Sequence, residues 1–168
     1  MRFLLLMLVA FTLPSASCTF GQSKADLAME AVNRGLAAHG AGRLDEAAAT
    51  YHEALGLDPL NPLAYFNLGV IDQGAGRPQA AERNYRLVLS LNPDFPSALF
   101  NLAIIRNNAG NTQEAIELYR RVIAVQPDNA SAHLNLGVAL RSIGQQADGD
   151  ADVSRAGELN PQFRAPTP

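Results

Sequence analysis

Four prolines, Pro59, Pro93, Pro127 and Pro161, stand 34 residues apart. Two further ladders keep the same step: Gly42, Gly76, Gly110 and Gly144, and Asn33, Asn67, Asn101 and Asn135. Three residue types repeating in one register restrict the chain to an array of supersecondary units. No such unit can bury its own apolar face, so each must stack on its neighbours. Aligned on the prolines, the units are Ala28 to Asn61, Pro62 to Phe95, Pro96 to Asn129 and Ala130 to Phe163. Inside each, an apolar stripe at helical spacing runs to a mid-unit glycine, and a second stripe ends just before the proline. The pattern predicts a helix, a tight turn and a helix. In the second unit Pro62 and Pro78 suit first-turn positions, where a missing N–H costs nothing, and Gly76 supplies the turn.

The residues at fixed places in each unit resemble the tetratricopeptide repeat. In the second unit they are Tyr65, Leu68-Gly69, Ala81, Tyr85, Val88 and Pro93. The third offers Leu99, Leu102-Ala103, Ala115, Tyr119, Val122 and Pro127, and the first Gly35, Ala47, Tyr51, Ala54 and Pro59. The resemblance implies an all-α, right-handed α-solenoid of four helix-turn-helix repeats, with Gly69 and Ala81 allowing the two helices of a unit to approach. Departures sit at the ends. Arg34 replaces the usual leucine in the outermost first helix, while Gly149, Val153 and Gly157 thin the last unit, whose second helix must cap the stack.

The resemblance also implies a concave groove lined by the first helix of every unit. Carried over residue by residue, its ligand-facing positions are apolar twice in each unit: Val32, Phe66, Phe100 and Leu134, then Leu36, Val70, Ile104 and Val138. Beside them run Asn33, Asn67, Asn101 and Asn135, similar to the asparagine ladder with which the O-GlcNAc transferase superhelix holds peptide backbone. Further along lie His39, Gln73, Asn107, Asn108 and Arg141. The lysine-rich clamp that some arrays use for C-terminal carboxylates is missing, since Lys24 is the only lysine. Asp72 and Arg106 occupy equivalent positions in adjacent units and are expected to pair.

Net charge is -3, from 13 Lys+Arg and 16 Asp+Glu without a long block of either sign. A clustered basic excess, the footprint of nucleic-acid binding, is therefore absent. His39, His52 and His133 fall at different repeat positions and read as scattered surface histidines. Asp148, Asp150 and Asp152 imitate the start of a calcium loop, but Val153 stands where that loop needs glycine, so capping and solvation explain them better. No catalytic constellation, phosphate cradle, metal centre or cofactor is expected.

Arg2 precedes an apolar run from Phe3 to Leu13, interrupted by Thr12 alone, followed by Pro14, Ser15, Ala16, Ser17 and the only cysteine, Cys18. Eleven helical residues cover about 16 Å, half of a ~30 Å hydrocarbon core, so the run fits a signal peptide better than a permanent span. Two processing routes remain open. Ser15-Ala16-Ser17 satisfies a small-x-small cleavage site, whereas Ala16-Ser17-Cys18 resembles the end of a bacterial lipobox, with Ser15 where an aliphatic residue is usual. In the second route Cys18 carries the lipid, and Thr19 after it implies the outer membrane. The expected organisation is a signal peptide over 1–17, a tether over 18–27, the repeats over 28–163 and a disordered tail over 164–168.

The expected function is a non-catalytic scaffold of the cell envelope that binds a protein or peptide in its groove and assists assembly of an envelope complex. The alternatives are a self-associating structural module and an accessory subunit of an envelope enzyme.

Overall fold

The structure, a computed structural model, describes residues 22–164. Eight α-helices follow one another among these residues: α1 (Lys24–Gly40), α2 (Leu44–Leu57), α3 (Pro62–Gly74), α4 (Pro78–Leu91), α5 (Pro96–Asn108), α6 (Thr112–Val125), α7 (Ala130–Ser142) and α8 (Gln146–Leu159). A 3-10 turn, Pro161–Phe163, closes the series. Each odd-numbered helix pairs with the even one after it, and each pair stacks on the next, as the ladders require. The expected signal peptide and Cys18 lie outside the described residues, as do positions 165–168 of the expected tail.

The boundaries follow from local chemistry. Gly42, Gly76, Gly110 and Gly144 all adopt positive φ, between 70° and 84°, in the turn between the helices of each unit. This left-handed conformation costs a residue with a Cβ but not glycine, which explains why the ladder is glycine throughout. Pro62, Pro78 and Pro96 each open a helix. Asn61 and Asn129 cap α3 and α7 by accepting from the backbone N–H of Ala64 and Ala132 at 3.1 and 2.9 Å. α1 begins at Lys24 behind a capping box in which Ser23 and Asp26 bond each other's backbone N–H. The expected tether over 18–27 is therefore too long, because residues 24–27 already belong to the first helix.

The closing prolines have a shared requirement that the ladder did not reveal. Each leaves a carbonyl at the end of its unit, and four different donors satisfy it. Tyr65 Oη donates to Pro59 at 3.2 Å, the Arg121 guanidinium to Pro93, His133 Nε2 to Pro127 at 3.0 Å, and the backbone N–H of Arg164 to Pro161 at 3.2 Å.

The core repeats with the chain. Tyr51, Tyr85 and Tyr119 are fully enclosed between the helices of their units, and Ala47, Ala81 and Ala115 are buried on the second helices. A Cβ on Gly69 would stand 2.6 Å from Tyr85 Cε1, so the glycine makes room for the ring. In the last unit Val153 replaces the tyrosine, and a Cβ on Gly137 would meet the Gly149 carbonyl oxygen at 2.6 Å. There the two helices touch backbone to backbone. The expected self-capping by α8 is supplemented by the chain after it: Arg164 Nε donates to the Gly157 carbonyl at 2.8 Å, folding the segment back across the last helix.

Two side-chain expectations need correction. Asp72 does not pair with Arg106. It is held within its own unit by Arg77 at 2.9 Å and Asn84 at 2.9 Å. Arg106 lies between Glu82 and Glu114, at 3.2 and 2.7 Å, and Arg86 closes the ring by contacting both glutamates at 2.9 and 2.8 Å. This closed set of four charges ties α4, α5 and α6 together. His133, in turn, is not a surface histidine: it is 9% exposed and wedged between α8 and the loop before α7.

Candidate functional site: the first-helix groove

The inward positions of α1, α3, α5 and α7 divide by depth. Phe66, Val70, Phe100, Ile104 and Leu134 are half-buried. Leu36 and Val138 are the open ends of the strip, 45% and 51% exposed. Val32 is fully buried and takes no part in an accessible surface, a correction to the expected strip. Its Cβ branches fill the core of the first unit beside Ala31 and Tyr51.

The two phenylalanines face both ways. Phe66 lies 5.9 Å from Tyr85 and 5.2 Å from Phe95, centroid to centroid, and Phe100 meets Tyr119 edge-on at 5.8 Å. One side of each ring is thus core and the other is groove floor. Between them is a recess of about 290 Å³, lined by Phe66, Ser97, Phe100, Asn101 and Asn129. A second hollow of about 410 Å³ at the far end of the same helices is lined by Gln73, Glu82, Ile104, Asn108 and the turn at Gly76, with Glu82 paired to Arg106 and Arg86.

The asparagine ladder is regular in sequence but not in use. Asn67 and Asn135 donate Nδ2 to the carbonyls of Leu63 and Ser131, one turn earlier in their own helices, at 2.8 and 2.9 Å. Asn101 reaches across instead, donating to Tyr85 Oη at 3.2 Å, and that hydroxyl donates to Gln73 Oε1 at 2.9 Å. Asn33 is exposed. Part of each of the three inner amides is therefore committed to holding helices. A carbonyl only accepts, so the nitrogens of Asn67 and Asn135 must face inward to their helices. Asn67 is buried, 8% exposed, a correction to the expected ladder, and only the partly buried Asn135 keeps its Oδ1 toward the groove. The same amide geometry is broken in the first unit, where Tyr51 Oη is buried without a hydrogen-bond partner.

Electrostatically the middle of the groove is neutral. Among the inward positions of α3 and α5 there is no charged side chain, only Leu63, Phe66, Asn67, Val70 and Gln73 on one and their counterparts on the other. Arg141, at the far end, is engaged by Asp150 at 2.7 Å. Asp152 is held by His133, so Asp150 and Asp152 are committed to helix contacts, while Asp148 is exposed. The burial of Tyr85 and Tyr119 pushes both phenols up to about 12, which keeps the floor of the groove uncharged.

A stack of helix pairs with such an inner face defines a helical-repeat scaffold for protein contact. A family model described as "TPR repeat" matches residues 35–74 and again 105–144, and one described as "Tetratricopeptide repeat" matches residues 72–124. The chain belongs to the tetratricopeptide-repeat family. No curated protein matches it. Among solved structures, MamA residues 41 to the end from Desulfovibrio magneticus RS-1 is 23% identical with a TM-score of 0.73, covering 84% of this chain and 78% of that one. Another MamA crystal structure gives 21% and 0.72, over 80% and 79%. The first TPR of Spaghetti (RPAP3), bound to the HSP90 peptide SRMEEVD, gives 23% and 0.67, over 72% and 96%. The family is one of interaction scaffolds and is in general non-catalytic.

Proposed function

We propose that this chain is a non-catalytic scaffold that binds an uncharged, apolar stretch of a protein or peptide partner in the first-helix groove. The observation that carries the reading is the composition of the groove at its centre: half-buried Phe66, Val70, Phe100 and Ile104, flanked by amides and free of charge. A charged side chain docked there would lose its hydration without gaining a counter-ion, whereas an apolar one gains burial. Covering a large apolar side chain contributes about 1.5–3 kcal/mol, against about 0.5–1.5 for a net hydrogen bond. A micromolar complex needs about 8 kcal/mol, so the apolar strip supplies the affinity and the asparagine oxygens the register. The fold-level likeness to a repeat array that carries a peptide supports the reading, while the absence of a lysine clamp in this groove argues for a ligand unlike an acidic C-terminus.

The test is photo-crosslinking in the native cell from a reactive residue at Val70, with mass spectrometry of the adducts. Leu36→Asn combined with Val138→Asn should cut partner capture at least tenfold at unchanged helicity, because both side chains are exposed. Phe100→Leu keeps the core filled and should weaken capture less. Capture indifferent to all three substitutions would overturn the groove as the binding surface. Sedimentation at several concentrations separates a foreign partner from a second copy of the chain.

We read the scaffold as exported to the cell envelope, where it helps assemble a complex, and as anchored through a lipid on Cys18. The supporting feature is the leader: an eleven-residue apolar run from Phe3 to Leu13, small residues, and the only cysteine directly after them. Acyl chains contribute about 0.8 kcal/mol per buried CH₂, which makes a multiply acylated cysteine a stable anchor. Cys18→Ser should move the protein from the membrane pellet to the soluble fraction, and a variant still in the pellet would overturn lipidation.

A further inference from the structure

His133 is the one histidine that the fold encloses, and both of its ring nitrogens face oxygen. Nε2 lies 3.0 Å from the Pro127 carbonyl and Nδ1 lies 2.7 Å from Asp152 Oδ1. A carbonyl has no proton to give, so Nε2 must be the donor there. The same seat confirms this in another unit, where Tyr65 at the equivalent position donates its hydroxyl to the Pro59 carbonyl. With Nε2 protonated, a neutral ring would turn the Nδ1 lone pair toward a carboxylate at hydrogen-bond distance. Only a ring carrying both protons satisfies both contacts.

We propose that His133 and Asp152 form a proton-dependent latch that holds α8 and the Pro127 loop onto α7. With the proton present, Nδ1–H bonds Asp152 while Nε2–H bonds Pro127. When it leaves, the single remaining N–H serves one acceptor and the other contact is lost. The latch is closed while the ring carries both protons and open once it has lost one. Histidine as a residue type changes charge between about pH 5 and 8, so that range is the one in which to test it. The surrounding charges leave the assignment to Asp152. On α8, Arg155 is taken up by Asp128 of the loop and by Glu158, at 3.2 and 3.1 Å, and Asp150 is paired with Arg141 of α7. Asp148 is exposed. On α6, Glu117, Arg120 and Arg121 are all exposed, and none bonds the ring.

The latch matters because α8 ends the helical stack and buries only small residues, Gly149, Ala156 and Gly157. α7 presents Leu134, Asn135 and Val138 to the groove, so its support sets the order of the last quarter of that surface.

Amide hydrogen exchange on the full chain tests this directly, with rates corrected for the intrinsic effect of pH. Between pH 5 and pH 8 the opening constant of α8 should rise about tenfold in the wild-type protein, while α3 and α4 stay constant. Asp152→Asn should remove the rise, because the asparagine amide donates to a neutral Nδ1 and no proton is needed. His133→Tyr, which keeps the bond to Pro127 as Tyr65 does to Pro59, should also be flat. A wild-type α8 that opens equally at both pH values overturns the latch, and so does a rise that persists in either variant.

Discussion

Tyr51 and Tyr85 occupy the same place in successive units and are equally buried, yet their hydroxyls differ. Tyr85 Oη bridges Gln73 and Asn101, whereas Tyr51 Oη has no partner. The residues that should serve it are His39 and Asn67, and Asn67 has turned to the Leu63 carbonyl instead. A buried hydroxyl without a partner costs the desolvation of that group, about 1–3 kcal/mol, while a satisfied one contributes about 1 kcal/mol. Tyr51→Phe should therefore raise stability by about 1–3 kcal/mol, and Tyr85→Phe should lower it by about 1 kcal/mol, both read as shifts in the urea midpoint. The repeat pattern shows that these positions are aromatic and enclosed. It cannot show which amide rotates to which oxygen, since that choice is made between groups one turn apart in space and roughly equal in energy. The same reason hid the enclosure of His133: its neighbours Asp152 and Pro127 come from different elements.

At the level of the helix pair, spacing is set by the smallest residue at the crossing. In the second unit Gly69 faces the ring of Tyr85, and the third unit already carries Ala103 against Tyr119, so a ring can shift to admit a Cβ. In the fourth unit the obstacle to a Cβ on Gly137 is the backbone carbonyl of Gly149, which cannot move without displacing α8. Gly69→Ala should cost about 1 kcal/mol and Gly137→Ala about 3 kcal/mol, the overpacking range, with the second loss concentrated in α7 and α8. Thermal denaturation ranks the two, and an equal cost would contradict the backbone contact. Helix limits were legible to within a few residues because their determinants are local: prolines at first turns, glycines at positive φ, asparagine caps. The start of α1 was missed because its signal, Ser23 with Asp26, lies ahead of the repeat register.

For the whole molecule, the repeated tyrosines link stability to alkaline pH. Burial raises Tyr85 and Tyr119 to about 12, above their ordinary value of about 10. A group that is harder to ionise in the folded state stabilises it fully below about pH 10, and that contribution is lost as pH rises through about 12. Absorbance titration at 295 nm should show Tyr85 and Tyr119 ionising near pH 12, together with the loss of helicity. A titration in which Tyr85 and Tyr119 ionise near pH 10 with helicity intact would contradict this enclosure. The Glu82, Arg86, Arg106 and Glu114 ring acts at the same scale by joining the second and third units. Its members were visible in the sequence, but the pairing read there, Asp72 with Arg106, assumed that equivalent positions meet across units. The turn instead brings Arg77 onto Asp72.

What the sequence determined by itself is the architecture: the 34-residue period, the helix-turn-helix unit, its glycine turns, its enclosed tyrosines and the apolar cast of the first helices. All of these are properties of one unit and its nearest neighbour, and a repeat writes them out several times. Tertiary structure alone decided the allocation of polar groups: which amides of the asparagine ladder are spent on the helices, that Val32 is lost to the core, and that His133 is locked between two acceptors. A hydrogen bond or an ion pair depends on distances of tenths of an ångström between residues far apart in the chain, and periodicity carries no information at that resolution.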